Sequence, residues 1–371
     1  MINQRPLSNS TENRSAMSRA EFIRRVLIVA GIAMLAVALV WAFVKASDVF
    51  ILFFLAVLLA LLLRTASDAI ARYIGIGAGW SLALVVIALL ALTAGVGYIL
   101  GATVAKQFDQ FTTALPKSFE QTRVSLQQHE WGRQVLDAAP PADKFLSASP
   151  ADLASRVTAL FSTTLGVLGD LILLAFLTLY LAASPETYLE GLRQLVPPRH
   201  RPRTAQVLAA VGFHLKWWML GRLMVMIAVG IITGIGLWII GVPQFLILAI
   251  AAALLAAVPY LGAIISVVPA LLLTIPQGPT VVLWTLVVYA LAQSVEGYLL
   301  IPLIQQNTIR LPAVLTIAAL GLMGGLFGVI GIIAATPLSV AILVLVKMLY
   351  VEDILGEPLD VPGEKSAVAT A

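Results

Sequence analysis

Glu296 is an acid inside an apolar run, where a charge is costly, rare and usually functional. Tyr289, Gln293 and Glu296 follow at i, i+4 and i+7, which puts all three on one helical face. Glu296 lies seven residues before the inner end of its expected span, roughly 10 Å deep at 1.5 Å per residue. Such a carboxylate can titrate or hold a cation during transport; it can equally cap free N–H groups of a neighbouring broken segment. Asp170 follows Gly166 and Gly169, small residues that let helices approach closely. It is therefore read as facing protein, in a structural hydrogen bond or a solute contact. Arg222 lies one turn inside a span and either snorkels to the border or meets an anionic solute group. Gln305, Gln306, Asn307, Thr308 and Arg310 form a polar linker whose donors suit a polyol-like solute.

Two apolar stretches must position these residues, and both are broken at matching places. The first opens at Pro243, breaks at Pro259-Tyr260-Leu261-Gly262 and again at Pro269. The second opens at Pro312, breaks at Gly328-Val329-Ile330-Gly331 and again at Pro337. The first break lies 16 residues after the opening proline in each, and the glycine 19. In hydrocarbon a freed N–H or C=O costs several kcal/mol, so broken backbone survives only inside protein or beside water. Paired Gly/Pro interruptions in corresponding positions point to a transporter's binding site. Pro259, Tyr260, Gly262, Gly328 and Gly331 thus join Glu296, Gln293, Asp170, Arg222 and Arg310 as candidate pathway residues.

Composition sets the class. Of 371 residues 60% are hydrophobic and 11% charged, against about 25% charged in soluble domains, and the mean hydropathy is +0.98. The fold class is an all-α polytopic membrane protein. With no cysteine and only His129, His200 and His214, thiolate chemistry and a histidine-rich metal site are excluded. No nucleotide-binding glycine loop and no nucleophile–base pair is found, so neither an enzyme nor a cofactor is expected. The net charge of +4 reads as membrane anchoring, not a nucleic-acid footprint.

Full spans are expected at 23–44, 47–63, 80–103, 157–182, 220–241 and 279–303, with the broken stretches at 244–275 and 312–346. Arg5, Arg14, Arg19, Arg24 and Arg25 lead into the first span, Arg64 and Arg72 follow the second, and Arg193, Arg199, Arg201, Arg203 and Lys216 follow the fourth. The positive-inside rule places these on the cytoplasmic side, with both termini there, in the inner or plasma membrane. Residues 1–22 are then a disordered cytoplasmic N-terminus and 347–371 a cytoplasmic tail. Spans one to three occupy 23–103, and 157–346 is the transport core. Segment 104–156 is extracytoplasmic, with six basic and six acidic residues. Phe108, Phe111, Leu115, Phe119, Thr122 and Leu126 give it one apolar helical face, packed on its own subunit or on another copy in a homo-oligomer. Ser184-Pro185-Glu186-Thr187 opens a short amphipathic helix carrying Tyr188, Leu189, Leu192 and Leu195. Trp217-Trp218 reads as an interfacial aromatic pair. The broken stretches are either bent spans or re-entrant hairpins entering from opposite faces, which would form an inverted repeat.

At these residues the chain resembles the AI-2E family of permeases, the autoinducer-2 exporter family. The likeness rests on Leu195-Val196-Pro197, Gly221-Arg222, Gly241-Val242-Pro243 and Val258-Pro259-Tyr260-Leu261-Gly262 with Pro269. It continues through Glu296, Pro302, Pro312, Gly324-Gly325, Gly328, Gly331 and Ala335-Thr336-Pro337. Ala263 and Gln306 depart from the family pattern. The resemblance implies a multi-pass permease exporting a small polar solute such as autoinducer-2, or exchanging sodium or lithium for protons. An oligomeric channel or scaffold is the third reading.

Overall fold

A computed structural model describes residues 34, 49–128, 130, 164–305 and 311–357. The chain divides into two units, Met1–Phe50 and Ile51–Ala371. Of the first, residues 34, 49 and 50 are described, all helical. The second holds all the other described residues.

The described residues are helical apart from short turns, as their hydropathy requires: in lipid a helix satisfies its own backbone. Helix α1 (Val49–Ile74) turns at Gly75 into α2 (Ala78–Gln127), 50 residues long. Helix α3 (Thr164–Ala183) is apolar, and α4 (Pro185–Gln194) leaves it at an angle of 84°. Pro185 occupies the first helical position of α4, but Ser184 makes no capping hydrogen bond through its side chain. Helix α5 (Arg201–Ile240) runs 40 residues to Gly241, whose φ of 85° ends it. Helices α6 (Phe245–Leu255) and α7 (Leu261–Thr274) come next. Helix α8 (Pro279–Ser294) continues through a π turn (Val295–Leu300) into α9 (Ile301–Gln305). Helix α10 (Ala313–Leu345) ends in a second π turn (Val346–Glu352).

Both broken stretches fold back on themselves. At Gly328, φ 60° and ψ −142° reverse α10. A side chain at Gly331 would collide with the Met323 carbonyl and with Phe327, although eight helical residues should separate 323 from 331 by about 12 Å. In the first stretch a side chain at Gly262 would collide with the Leu255 carbonyl. The first arms, α6 and Ala313–Phe327, are about 16 and 22 Å long at 1.5 Å per residue, short of a ~30 Å hydrocarbon core. These are hairpins. The bent-span reading fails because it needs a continuous axis through Gly262 and Gly328.

By length and apolarity, five described helices could cross a membrane: α1, α2, α5, the α8–α9 helix and α10 with its π turn; α3 joins them as a sixth when taken with α4 as one bent span. All of the expected span 23–44 except residue 34 lies outside the described residues, as do the arm from 131 to 163 and the tail from 358. Two boundaries move. Helix α2 runs through residue 103 into the arm without a break, and α5 begins at 201 rather than 220. Hydropathy falls at the membrane border, whereas backbone hydrogen bonding continues past it.

Helix α5 is the mast of the core. Its second half buries Val225, Val229 and Leu237 in one cluster with Leu248, Ala252 and Ala256 of the first hairpin. Its first half buries Val207 and Ala210 with Val344 and Met348, and Leu215 with Val340 and Ala341, of the second. The first hairpin starts at the end of α5, and the second finishes at its beginning. There Arg203 forms ion pairs with Glu352 (2.8 Å) and Asp353 (2.9 Å). The arm also packs on its own chain: Phe111 and Leu115 sit against the first cluster. Gln107 Oε1 accepts hydrogen bonds from the backbone N–H groups of Leu246 (3.0 Å) and Ile247 (3.1 Å), capping α6.

Candidate functional site

The mast meets the first break at Arg222. Its Nε donates to the Ala257 carbonyl (3.1 Å), and its Nη1 donates to Glu296 Oε1 (3.0 Å). The helix loses its own ladder over 256–260, so Ala257 offers a carbonyl to a side-chain donor. The same break puts Tyr260 at φ 63°, a conformation that costs a non-glycine residue about 1–3 kcal/mol. Glu296 sits in the π turn, a local widening often found at functional sites. Both partners have 11% of their side chains exposed. Burying a charge costs several kcal/mol unless it is paired, so each residue makes the other tolerable.

Around this pair lies a cavity of about 420 Å³. Trp218 and Arg222 line it from α5, and Pro259, Tyr260, Ala263 and Ile264 from the first break. Gln293, Glu296, Gly297, Ile301 and Ile304 line it from the α8–α9 helix, and Leu311, Thr316 and Thr336 from both arms of the second hairpin. Two charges of opposite sign, an amide, a phenol and two threonines thus line one space with apolar walls. Thr336 Oγ1 is itself buried and has no hydrogen-bond partner among the described residues. On the far side of Arg222 a second cavity, about 260 Å³, is lined mainly by leucines and by Met219, Met226, Ile333 and Pro337.

The hairpin tips converge beside the first cavity. Val258 and Leu261 of one tip and Phe327 and Ile332 of the other pack on the same buried cluster of Ile51, Leu320, Met323, Ala334 and Ala335. Gly262 and Gly331 are where each hairpin's arms touch, and Gly328 makes the second reversal. Tyr289 stands behind the cavity and donates its hydroxyl to the Ser266 carbonyl (3.1 Å), tying α8 to α7.

Glu296, Gln293, Pro259, Tyr260 and Arg222 are therefore gathered at one site. The snorkelling reading of Arg222 is replaced: the side chain turns inward, because an acid and a free carbonyl await it there. Among the described residues Glu296 meets that arginine, not hairpin N–H groups. Asp170 is exposed on α3 and does not line the cavity. Arg310 lies outside the described residues, as do Gln306, Asn307 and Thr308. Trp218 is a cavity wall rather than an interfacial anchor, whereas Trp217 is 36% exposed. Thr316 and Thr336 are site residues that sequence reasoning misses. Their one signal is a hydroxyl in each arm of an otherwise apolar stretch.

The sequence matches the AI-2E family of transporters over residues 28–350. This chain belongs to that family. It is 29% identical over 206 residues to YrrI of Bacillus subtilis, covering 55% of this chain and 58% of that protein. It is 24% identical over 250 residues to YueF of the same organism, covering 64% and 68%. A Thermotoga maritima protein is 29% identical over 137 residues, 37% of this chain and 41% of the relative. All three are provisionally named transport proteins. The chain thus belongs to a family of transporters and carries helices long and apolar enough to cross a membrane, and it spans 58% and 68% of the length of the two Bacillus relatives.

Proposed function

We propose that this chain is a secondary transporter whose small polar solute binds in the cavity between the two hairpins, with autoinducer-2 the first solute to test. The observation that carries this reading is the lining: Arg222, Glu296, Gln293, Tyr260, Thr316 and Thr336 converge on about 420 Å³. Donors and acceptors are mixed, and the two charges neutralise each other. That chemistry suits an uncharged molecule with several hydroxyls better than a lone ion.

Two hairpins with their bases at opposite ends of α5 support alternating access. Each tip would thin the barrier from its own side, and the repeats would exchange roles between inward-open and outward-open states. On this reading the arm lies outside, and the termini and the base of the second hairpin lie in the cytoplasm of a cell whose inner membrane holds the protein.

Cation/proton exchange is the second reading, supported by Glu296 at the same site. It requires Arg222 to release the carboxylate before a cation can use it. Proteoliposomes loaded with labelled autoinducer-2 and a pH dye separate the two. The solute reading expects saturable flux of label that Na⁺ or Li⁺ jumps do not drive. Cation-driven proton flux without solute flux would replace it with the antiporter.

A further inference from the structure

The α3–α4 bend has no part in the cavity, and its chemistry faces outward. Helix α3 is apolar and long enough to cross the bilayer, with Leu171, Ile172, Phe176 and Tyr180 exposed along it. A helix leaving such a span at 84° runs close to the membrane plane. None of the α4 residues is buried. Tyr188, Leu192 and Leu195 are 42%, 49% and 82% exposed, and their spacing of four and three puts them on one face. Glu186 and Glu190 are also exposed but project about half a turn away. A short helix with an uncovered apolar face and its acids opposite has the form of an interfacial helix.

The turn after α4 supplies the charge. Pro197 and Pro198 end the helix and a 3₁₀ turn (Pro198–His200) presents Arg199, with Arg201 opening α5. Both arginines are exposed, and Arg201 Nε donates to the Val196 carbonyl (3.2 Å), which holds it beside the end of α4. Arg203, two residues on, is instead committed to Glu352 and Asp353 and marks where the protein interior begins.

We infer that α4 and this turn form a foot docked on an anionic phospholipid surface. Tyr188, Leu192 and Leu195 enter the outer acyl region, and Arg199 and Arg201 meet headgroup phosphates. The apolar face of α4 continues the lipid-facing surface of α3, so a single bilayer serves both. The two glutamates point to water, where anionic headgroups repel them least. Because α5 starts in this turn, the foot also fixes the height of the mast against the membrane.

The absence of cysteine allows a direct test on the full chain. Bimane is attached at Leu192→Cys or Glu190→Cys, and the protein is reconstituted in phosphatidylcholine with or without phosphatidylglycerol. Nitroxide-labelled lipids of each headgroup, and an aqueous quencher, then report depth and lipid preference. The Leu192 label should be shielded from water and the Glu190 label open. Phosphatidylglycerol should quench the Leu192 label more than phosphatidylcholine does. That preference should fall about fivefold for each arginine removed in Arg199→Gln and Arg201→Gln, the equivalent of ~1 kcal/mol per basic residue at an anionic surface. Lysine at both positions should retain it. Equal water access at 190 and 192 would overturn the foot. Shielding without headgroup preference, or a preference that survives both glutamine variants, would overturn its anionic partner.

Discussion

The Arg222 guanidinium and the Glu296 carboxylate stand 3.0 Å apart across 74 residues of sequence, each nearly sealed from solvent. The same arginine holds the Ala257 carbonyl, so one side chain joins the mast, the first hairpin tip and the π turn. Removing one partner strands the other charge, which costs about 3–5 kcal/mol for a buried pair. Arg222→Met and Glu296→Leu should each lower the melting temperature in detergent. The double variant should be more stable than either single, because no charge is left alone. Solute flux should be lost in all three; full transport by the double variant would demote the pair to a structural role.

Glycines separate sharply by what surrounds them. Gly262→Ala and Gly331→Ala push a methyl group into backbone carbonyls, which no rotamer change relieves. Gly325→Ala meets nothing and should gain about 0.5–1 kcal/mol from reduced chain entropy. The first two variants should therefore melt lower and transport poorly, and the third should melt at or above the parent. Differential scanning fluorimetry beside flux assays checks all three.

Gln107 caps a helix that begins 138 residues later. Replacing it with Leu leaves the Leu246 and Ile247 amides without their acceptor, at about 1–3 kcal/mol for an unsatisfied buried group. Gln107→Leu should loosen the first hairpin, seen as faster amide exchange over α6 and a lower melting temperature. Gln107→Glu keeps an acceptor and should retain most of the protection.

Sidedness is open to direct labelling. Lys117 and Arg201 are accessible at positions the proposed topology puts on opposite faces. Cysteine at Lys117 should react with an impermeant maleimide in intact cells, and cysteine at Arg201 only after permeabilisation. The reverse pattern would invert the whole topology.

The breaks are legible in the sequence because proline and glycine act locally: Pro259, Gly262, Gly328 and Gly331 disturb the backbone wherever they stand. Glu296 is legible because an acid in an apolar run has few bland explanations. The direction of Arg222 is not, since it depends on how α5 is rotated against a residue 74 positions away. Trp218 misleads for the same reason. Its neighbour Trp217 has the exposure expected at an interface, but one helical step turns Trp218 to the cavity. The start of α5 is hidden because a charge-rich helix beyond the membrane border carries no hydropathy signal. Pro202 at its first turn and the buried Val207, Ala210 and His214 form the pattern that could have shown it.

On the proposed topology, hairpins that stop short of the far side have an electrical consequence. If water reaches each tip, the membrane potential falls over the thin layer between them instead of the full bilayer. An elementary charge carried across that layer alone would exchange about 2.3 kcal/mol with the field per 100 mV. Arg222 and Glu296, moving as a unit, carry no net charge. A carrier built around them would return empty at a rate indifferent to voltage, and any current it passed would belong to its cargo.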